Sequence, residues 1–264
     1  MSILDFQKSK VEERRLSMVT CYDAAFARII AKSNIDSILV GDSVAMVIHG
    51  FESTLSATPE MMATHVAAVK RGLGNSPKLL IGDMPFLSNR KGIAVAMNCV
   101  EGLMKAGANA VKIEGVWGHE DIISHIVKSG VPVQGHIGLT PQSIHQLGGY
   151  KVQGRGEEQK QDLIKQAKRL QELGCFSIVM ECVPTDVAKE ITLSLEIPTI
   201  GIGAGPYCDG QVLVLQDLLG LNGSFKPKFL KTYLESETLV IEALNKFDNE
   251  IKISQFPTQK ESYV

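Results

Sequence analysis

Five short apolar runs in this chain end on ionisable side chains. SILVG leads into Asp42 and Ser43, and LLIG leads into Asp83. AVKI carries Lys112 and is followed by Glu114, VPVQG is followed by His136, and SIVM by Glu181. Singly, each has a plain structural reading. An aspartate after an apolar run is usually a helix cap or a turn former. A lysine inside one can snorkel outward, and a histidine can be a satisfied core residue. Repetition at five run ends changes the reading, because every such group has to be compensated for lost hydration.

Gathered together, these side chains define a chemistry. Two or three carboxylates make an oxygen-rich site for a hard divalent ion such as Mg²⁺, which keeps positions open for substrate. The pattern offers no His/Cys set of the kind zinc prefers. A metal with free positions can chelate a 2-oxo acid and stabilise the enolate formed when a proton leaves the next carbon. Lys112 adds positive charge near the developing oxyanion. A further carboxylate or His136 can move the proton. The chemistry indicated is enolate formation from a 2-oxo acid, followed by making or breaking a C–C bond.

Parallel strands can bring such residues together. The runs Ser17–Cys21, Ser37–Gly41, Leu79–Gly82, Ala110–Ile113, Val131–Gly135, Ser177–Met180, Pro198–Gly201 and Val212–Leu215 are short and apolar, as strands buried on both faces are. The last of these is also compatible with a helix. Between them lie helical patterns. Thr58-Pro59 is a cap followed by proline at the first helical position, and that helix is expected to stop at Gly72. Further helices are expected at Glu157–Leu173, Thr185–Leu195 and Thr232–Phe247, while two gaps lack an obvious full helix. About eight strands in an uninterrupted βαβα order favour a (β/α)8 barrel over a doubly wound sheet. In a barrel the C-terminal strand ends share one mouth, which is where all the ionisable residues above would meet. The expected organisation is a single barrel domain over residues 1–264, with a short N-terminal helical extension and a C-terminal tail.

The rest of the composition excludes other classes. The chain has 264 residues, 27 Lys plus Arg against 29 Asp plus Glu, and a formal net charge of −2, so no basic excess points to nucleic acid or an anionic membrane. No segment approaches the roughly 20 apolar residues of a membrane span, and the N-terminus lacks a signal-like apolar core; a cytoplasmic location is expected. Five scattered cysteines without a CxxC pair read as buried free thiols. GIGAG at 201–205 departs from the dinucleotide fingerprint. It is either a phosphate loop or a place where backbone passes close to a neighbour. GGYKVQGRG at 148–156 is either a lid over the mouth or a plain solvated loop.

Taken in order, VTCYDAAFA, LVGDSVAM, STLSAT, DMPF, GANAVKIEG, GHIGLTPQS, LGGYKVQGRG, ECVP, IPTIGIGAG and DGQVLV make the chain resemble the ketopantoate hydroxymethyltransferase family, from about Ser17 to Leu221. The resemblance implies a (β/α)8 TIM barrel of the phosphoenolpyruvate/pyruvate-binding type. It implies hydroxymethyl transfer from 5,10-methylenetetrahydrofolate to 3-methyl-2-oxobutanoate, giving 2-dehydropantoate and tetrahydrofolate in pantothenate biosynthesis. It also implies Mg²⁺ dependence and a homo-oligomer, a decamer built as a pentamer of dimers. Residue by residue, Asp42 and Asp83 match metal ligands, with Glu114 the third acid near the metal. Asp42, Ser43, Asp83 and Lys112 match substrate contacts. Glu181 matches the proton acceptor and His136 the active-site histidine, with the roles of these two open to exchange. Two rival readings remain. One is a Mg²⁺-dependent lyase or mutase on the same barrel, against which the loop 148–156 has no cysteine. The other is a binding protein on a catalytically dead barrel, against which no expected catalytic group is missing.

Overall fold

The computed structural model describes residues 1–223 and 226–263. The chain divides into two compact units, Met1–Val214 and Leu215–Val264. The first unit contains eight strands: β1 (Leu16–Thr20), β2 (Ser37–Val40), β3 (Leu79–Asp83), β4 (Ala110–Glu114), β5 (Val133–Gly138), β6 (Ser177–Glu181), β7 (Thr199–Ile202) and β8 (Gly210–Leu213). Each pairs in parallel with the next, and β8 returns to β1 to close the barrel. The expected (β/α)8 architecture is therefore observed. Closure leaves no sheet edge to protect.

The strands differ from their expected bounds in ways that matter. β3, β4 and β6 run one residue further and include Asp83, Glu114 and Glu181, while β5 starts two residues later and contains His136. The functional groups are thus on the rigid ladder itself. The eighth run is split: Gly210–Leu213 is strand, and Leu215–Leu218 is a short helix. Among the described residues, no helix separates β7 from β8.

The barrel interior is filled from below by apolar side chains. Leu16, Met18, Leu39, Leu79, Ile81, Ala110, Val179, Ile200 and Val212 form one cluster with Phe6 and Phe176. Phe6 comes from the N-terminal helix Ile3–Val11. That helix is held by a reciprocal cap in which Asp5 N–H donates to Ser2 Oγ and Ser2 N–H donates to the Asp5 carboxylate. The Phe6 ring meets Phe176 edge-on at 5.6 Å, and burial of such a side chain stabilises by about 1.5–3 kcal/mol. Side chains two apart on a strand share a face. Ile81 therefore sets Asp83 inward, Ala110 sets Lys112 and Glu114 inward, and Val179 sets Glu181 inward.

The outer helices follow their caps. Thr58 Oγ1 accepts from Met61 N–H at 3.2 Å and starts helix Pro59–Leu73. Gly72 does not end it. It is a packing position, where a Cβ would lie 2.5 Å from the Ala24 carbonyl oxygen, and Gly74 at φ 55° is the true stop. Helix Glu157–Glu172 buries Leu163, Ile164, Ala167 and Leu170, and helix Thr185–Ser194 buries Val187, Ala188 and Ile191. In the second unit the longest helix is Ser236–Lys252, four residues later than the sequence pattern placed its start.

Candidate active site

The chain leaves β2 through Gly41, Asp42 and Ser43. A Cβ on Gly41 would lie 3.0 Å from Ser43 Oγ, so the glycine makes room for that hydroxyl. Ser43 precedes a four-residue helix but caps nothing with its side chain; its Oγ shares a 2.8 Å hydrogen bond with the Tyr22 hydroxyl. Asp42 is buried, and its Oδ2 accepts a hydrogen bond from Gln142 Nε2 at 2.9 Å. The plain reading of Asp42 as a helix cap does not describe it.

Asp83 and Lys112 are register partners on β3 and β4, and Glu114 and His136 are register partners on β4 and β5. Lys112 Nζ donates to Asp83 Oδ2 at 2.6 Å and lies 3.5 Å from Glu114 Oε1. His136 stands between two acids, with Nδ1 3.3 Å from Glu114 Oε1 and Nε2 3.3 Å from Glu181 Oε2. Asp42, Asp83 and Glu114 each bring a carboxylate oxygen within 4.8 Å of the others. All the ionisable residues singled out from the sequence therefore meet at one end of the barrel.

The electrostatics of this cluster are unbalanced. Two bare carboxylates at that spacing repel by about 3 kcal/mol at an effective dielectric near 20. Burial, then the charges of Asp83 and Glu114, push the Asp42 carboxyl well above the usual range. Burial likewise raises Asp83, against the pull of Lys112. Burial works against Glu114 too, but Lys112 and His136 outweigh it and hold that carboxyl at about 2. Burial opposes the Lys112 ammonium, yet Asp83, Glu114 and Asp42 together keep it charged. His136 is opposed by burial and Lys112 but is raised to about 9 by Glu114 and Glu181. Lys112 and His136 together do not neutralise Asp42, Asp83, Glu114 and Glu181, and Asp83 Oδ1 is buried with no hydrogen-bond partner. A dication fits the cluster on both counts, and the all-oxygen donor set is that of a hard metal.

Gln142 was not among the residues the sequence singled out. A neutral side chain in a loop carries no charge or periodicity signal. In the GIGAG stretch two glycines admit close neighbours: a Cβ on Gly201 would lie 2.8 Å from Cys208 Sγ, and one on Gly205 2.5 Å from Thr185 Oγ1. In the 148–156 segment, Tyr150 OH donates to Met46 Sδ at 3.8 Å and Gln153 N–H donates to the Cys182 carbonyl at 2.9 Å. Beside Glu114, a cleft of ≈ 370 Å³ is lined by Phe86, Leu87, Arg90, Gln142, Ser143 and His145.

A closed parallel barrel with carboxylates, a lysine and a histidine gathered at the C-terminal strand ends is the architecture of a barrel enzyme with an acid-rich, metal-type site. Solved structures share the fold. Phosphonopyruvate hydrolase in complex with oxalate and Mg²⁺ matches with a TM-score of 0.66 at 12% identity, over 99% of this chain and 93% of that one. 2,3-dimethylmalate lyase matches with a TM-score of 0.59 at 13% identity, over 99% and 91%. The chain itself belongs to the ketopantoate hydroxymethyltransferase family, whose model matches residues 1–259. It is 56% identical over 262 residues to the 3-methyl-2-oxobutanoate hydroxymethyltransferase of Bdellovibrio bacteriovorus, covering 99% of both chains. It is 53% identical over 266 residues to the protein of that name from Legionella pneumophila strain Lens, covering 100% of both.

Proposed function

We propose that the protein transfers a hydroxymethyl group from 5,10-methylenetetrahydrofolate to 3-methyl-2-oxobutanoate, giving 2-dehydropantoate and tetrahydrofolate. The observation that carries this reading is the full-length identity to relatives of that name, and it is supported by the clustering of Asp42, Asp83 and Glu114. Mg²⁺ is the proposed metal, with Asp42, Asp83 and Glu114 as the groups that would hold it. When bound, it supplies Lewis acidity toward the keto and carboxylate oxygens of the 2-oxo acid.

The chain's own residues do the rest. Ser43 and Lys112 bind and orient the substrate, and the Lys112 charge favours the oxyanion that develops at the keto oxygen. Glu181 is the base that removes the proton from carbon 3. Its side chain is 19% exposed at the mouth, whereas that of His136 is 2% exposed and lies beneath it. His136 is assigned to orient Glu181 and to balance the acids on either side. The electron pair of the broken C–H bond then forms the new C–C bond to the one-carbon unit. Both C–N bonds of the methylene bridge break and water supplies the hydroxyl oxygen; of the three protons from water and carbon 3, one stays on the hydroxyl and two go to the folate nitrogens. The cleft beside Glu114, at ≈ 370 Å³, lies within the size range of small-molecule sites and supports room for a second substrate.

A homodecamer is part of the same reading. Val240, Leu244, Phe247 and Ile251 recur at alternating steps of four and three along helix Ser236–Lys252 and are all exposed, which supports association through that helix. Among the described residues no helix is long and apolar enough to cross a membrane, and a cytoplasmic location is proposed. The test is an assay of 2-dehydropantoate formation, with and without Mg²⁺ and methylenetetrahydrofolate. Product that requires both is expected; turnover of a 2-oxo acid that ignores the folate would sink the reading. Sedimentation of the same sample reads the assembly.

A further inference from the structure

One residue outside the ionisable set touches two of the three acids. Gln142 sits in the short turn Pro141–Ser143, which follows β5. Its side-chain amide donates to Asp42 Oδ2 and to the Met84 carbonyl oxygen, both at 2.9 Å. Its backbone N–H donates to Glu114 Oε2 at 3.0 Å. The residue is buried, so these bonds are not exchanged freely with water. Gln142, sitting after β5, thus ties the exits of β2 and β3 through its side chain and the end of β4 through its backbone N–H.

The need for such a tie follows from the local chain. Asp42 lies beyond the last residue of β2 and is not fixed by that strand's ladder, unlike Asp83 and Glu114, which end their strands. A carboxylate repelled by two neighbours would rotate away from them. An amide held at its other N–H by a main-chain carbonyl is an anchored donor that resists this rotation. Asparagine is one methylene too short to span both acceptors, and any apolar side chain lacks the donors.

We infer that Gln142 is a positioning residue: through its amide it holds the Asp42 carboxylate in the geometry that binds the metal. This rests on the metal reading above. Groups that orient ligands ordinarily contribute 10- to 100-fold to metal affinity or activity. The test is calorimetric titration of Mg²⁺ into the purified full-length chain without substrate, comparing the parent with Gln142→Met, alongside circular dichroism and thermal melting. Met keeps the length and removes both N–H donors. The expected result is Mg²⁺ binding weakened about tenfold or more with unchanged circular dichroism. A purely structural role would lower the melting temperature and leave the affinity of the folded protein alone. A change in affinity below about threefold in a folded variant overturns the inference. If the parent binds no Mg²⁺, the metal reading fails and takes this one with it, so the two failures are distinct. Should Gln142→Met not fold, Gln142→Asn is titrated under the same criteria, since it keeps the polar group but not the reach.

Discussion

Lys112 Nζ lies 2.6 Å from Asp83 Oδ2, and both side chains are buried. The pair differs from an ordinary buried salt bridge because two further acids, Asp42 and Glu114, surround it. Removing the lysine leaves three acids without their only buried ammonium. Lys112→Met is expected to lower kcat by at least about 100-fold, the scale of losing one oxyanion-stabilising group. It is also expected to destabilise the metal-free protein by about 3–5 kcal/mol, as breaking a buried pair does. Mg²⁺ should restore much of that stability, because the acids then have a cation again. Thermal melting with and without Mg²⁺ reads this. A variant that loses Mg²⁺ binding altogether would contradict the arrangement.

The stacking of Glu181 over His136 separates their roles. His136 lies below with both ring nitrogens facing carboxylates, and its pKa, raised to about 9, keeps it protonated near neutral pH. The more exposed Glu181 is therefore the group placed to meet carbon 3. Incubation of 3-methyl-2-oxobutanoate with enzyme in D₂O, without folate, isolates the proton-removal step. Glu181→Gln is expected to abolish deuterium exchange at carbon 3, by about 100-fold or more. His136→Asn should retain a measurable fraction. Full exchange in Glu181→Gln would return the base assignment to His136.

The sequence carried the strands well for a physical reason. Each is buried on both faces, so each reads as an uninterrupted apolar run, and an ionisable residue at its end stands out against that background. The residues that bound the metal-type cluster were legible on this ground. Other features left no such mark. Gly72 reads as a helix stop because glycine ordinarily is one, yet here it admits the backbone of Ala24 at close range. Gln142 carries no charge, and its importance lies in two acceptors at positions 42 and 84 that only the fold brings near it. Phe6 acts from outside the barrel pattern, so nothing local foretells that it plugs the interior.

Gly138 ends β5 beside Glu181, at φ 91°. A Cβ there would lie 2.3 Å from the Glu181 carbonyl oxygen and 2.6 Å from Val183 Cγ2. The first contact is backbone and cannot be relieved by a rotamer change. Gly138→Ala is expected to cost roughly 2 kcal/mol or more, combining an incompatible φ with overpacking. The strain falls on the residue that carries the proposed base, so kcat should fall together with the urea midpoint. Unaltered kcat in a destabilised protein would mean that β6 absorbs the shift without moving Glu181.

His119 offers a pH dependence that is independent of the reaction. It is buried, its Nε2 has no hydrogen-bond partner, and its Nδ1 lies 3.4 Å from the Trp117 carbonyl. Burial, and then the Arg90 charge, bring its pKa down to about 4. An unfolded histidine titrates near 6.5, so between about pH 6.5 and 4 the unfolded chain binds more protons than the folded one. The stability that neutral His119 contributes is therefore complete above about pH 6.5 and is lost progressively as pH falls toward 4. His136, whose pKa is shifted the other way, is charged in the folded state across this window and does not imitate the effect. Urea unfolding at pH 7 and pH 5 should show a larger drop in midpoint for the parent than for His119→Gln, which has no ring to protonate. Equal drops in the two proteins would mean that His119 is hydrated in solution and charges without cost.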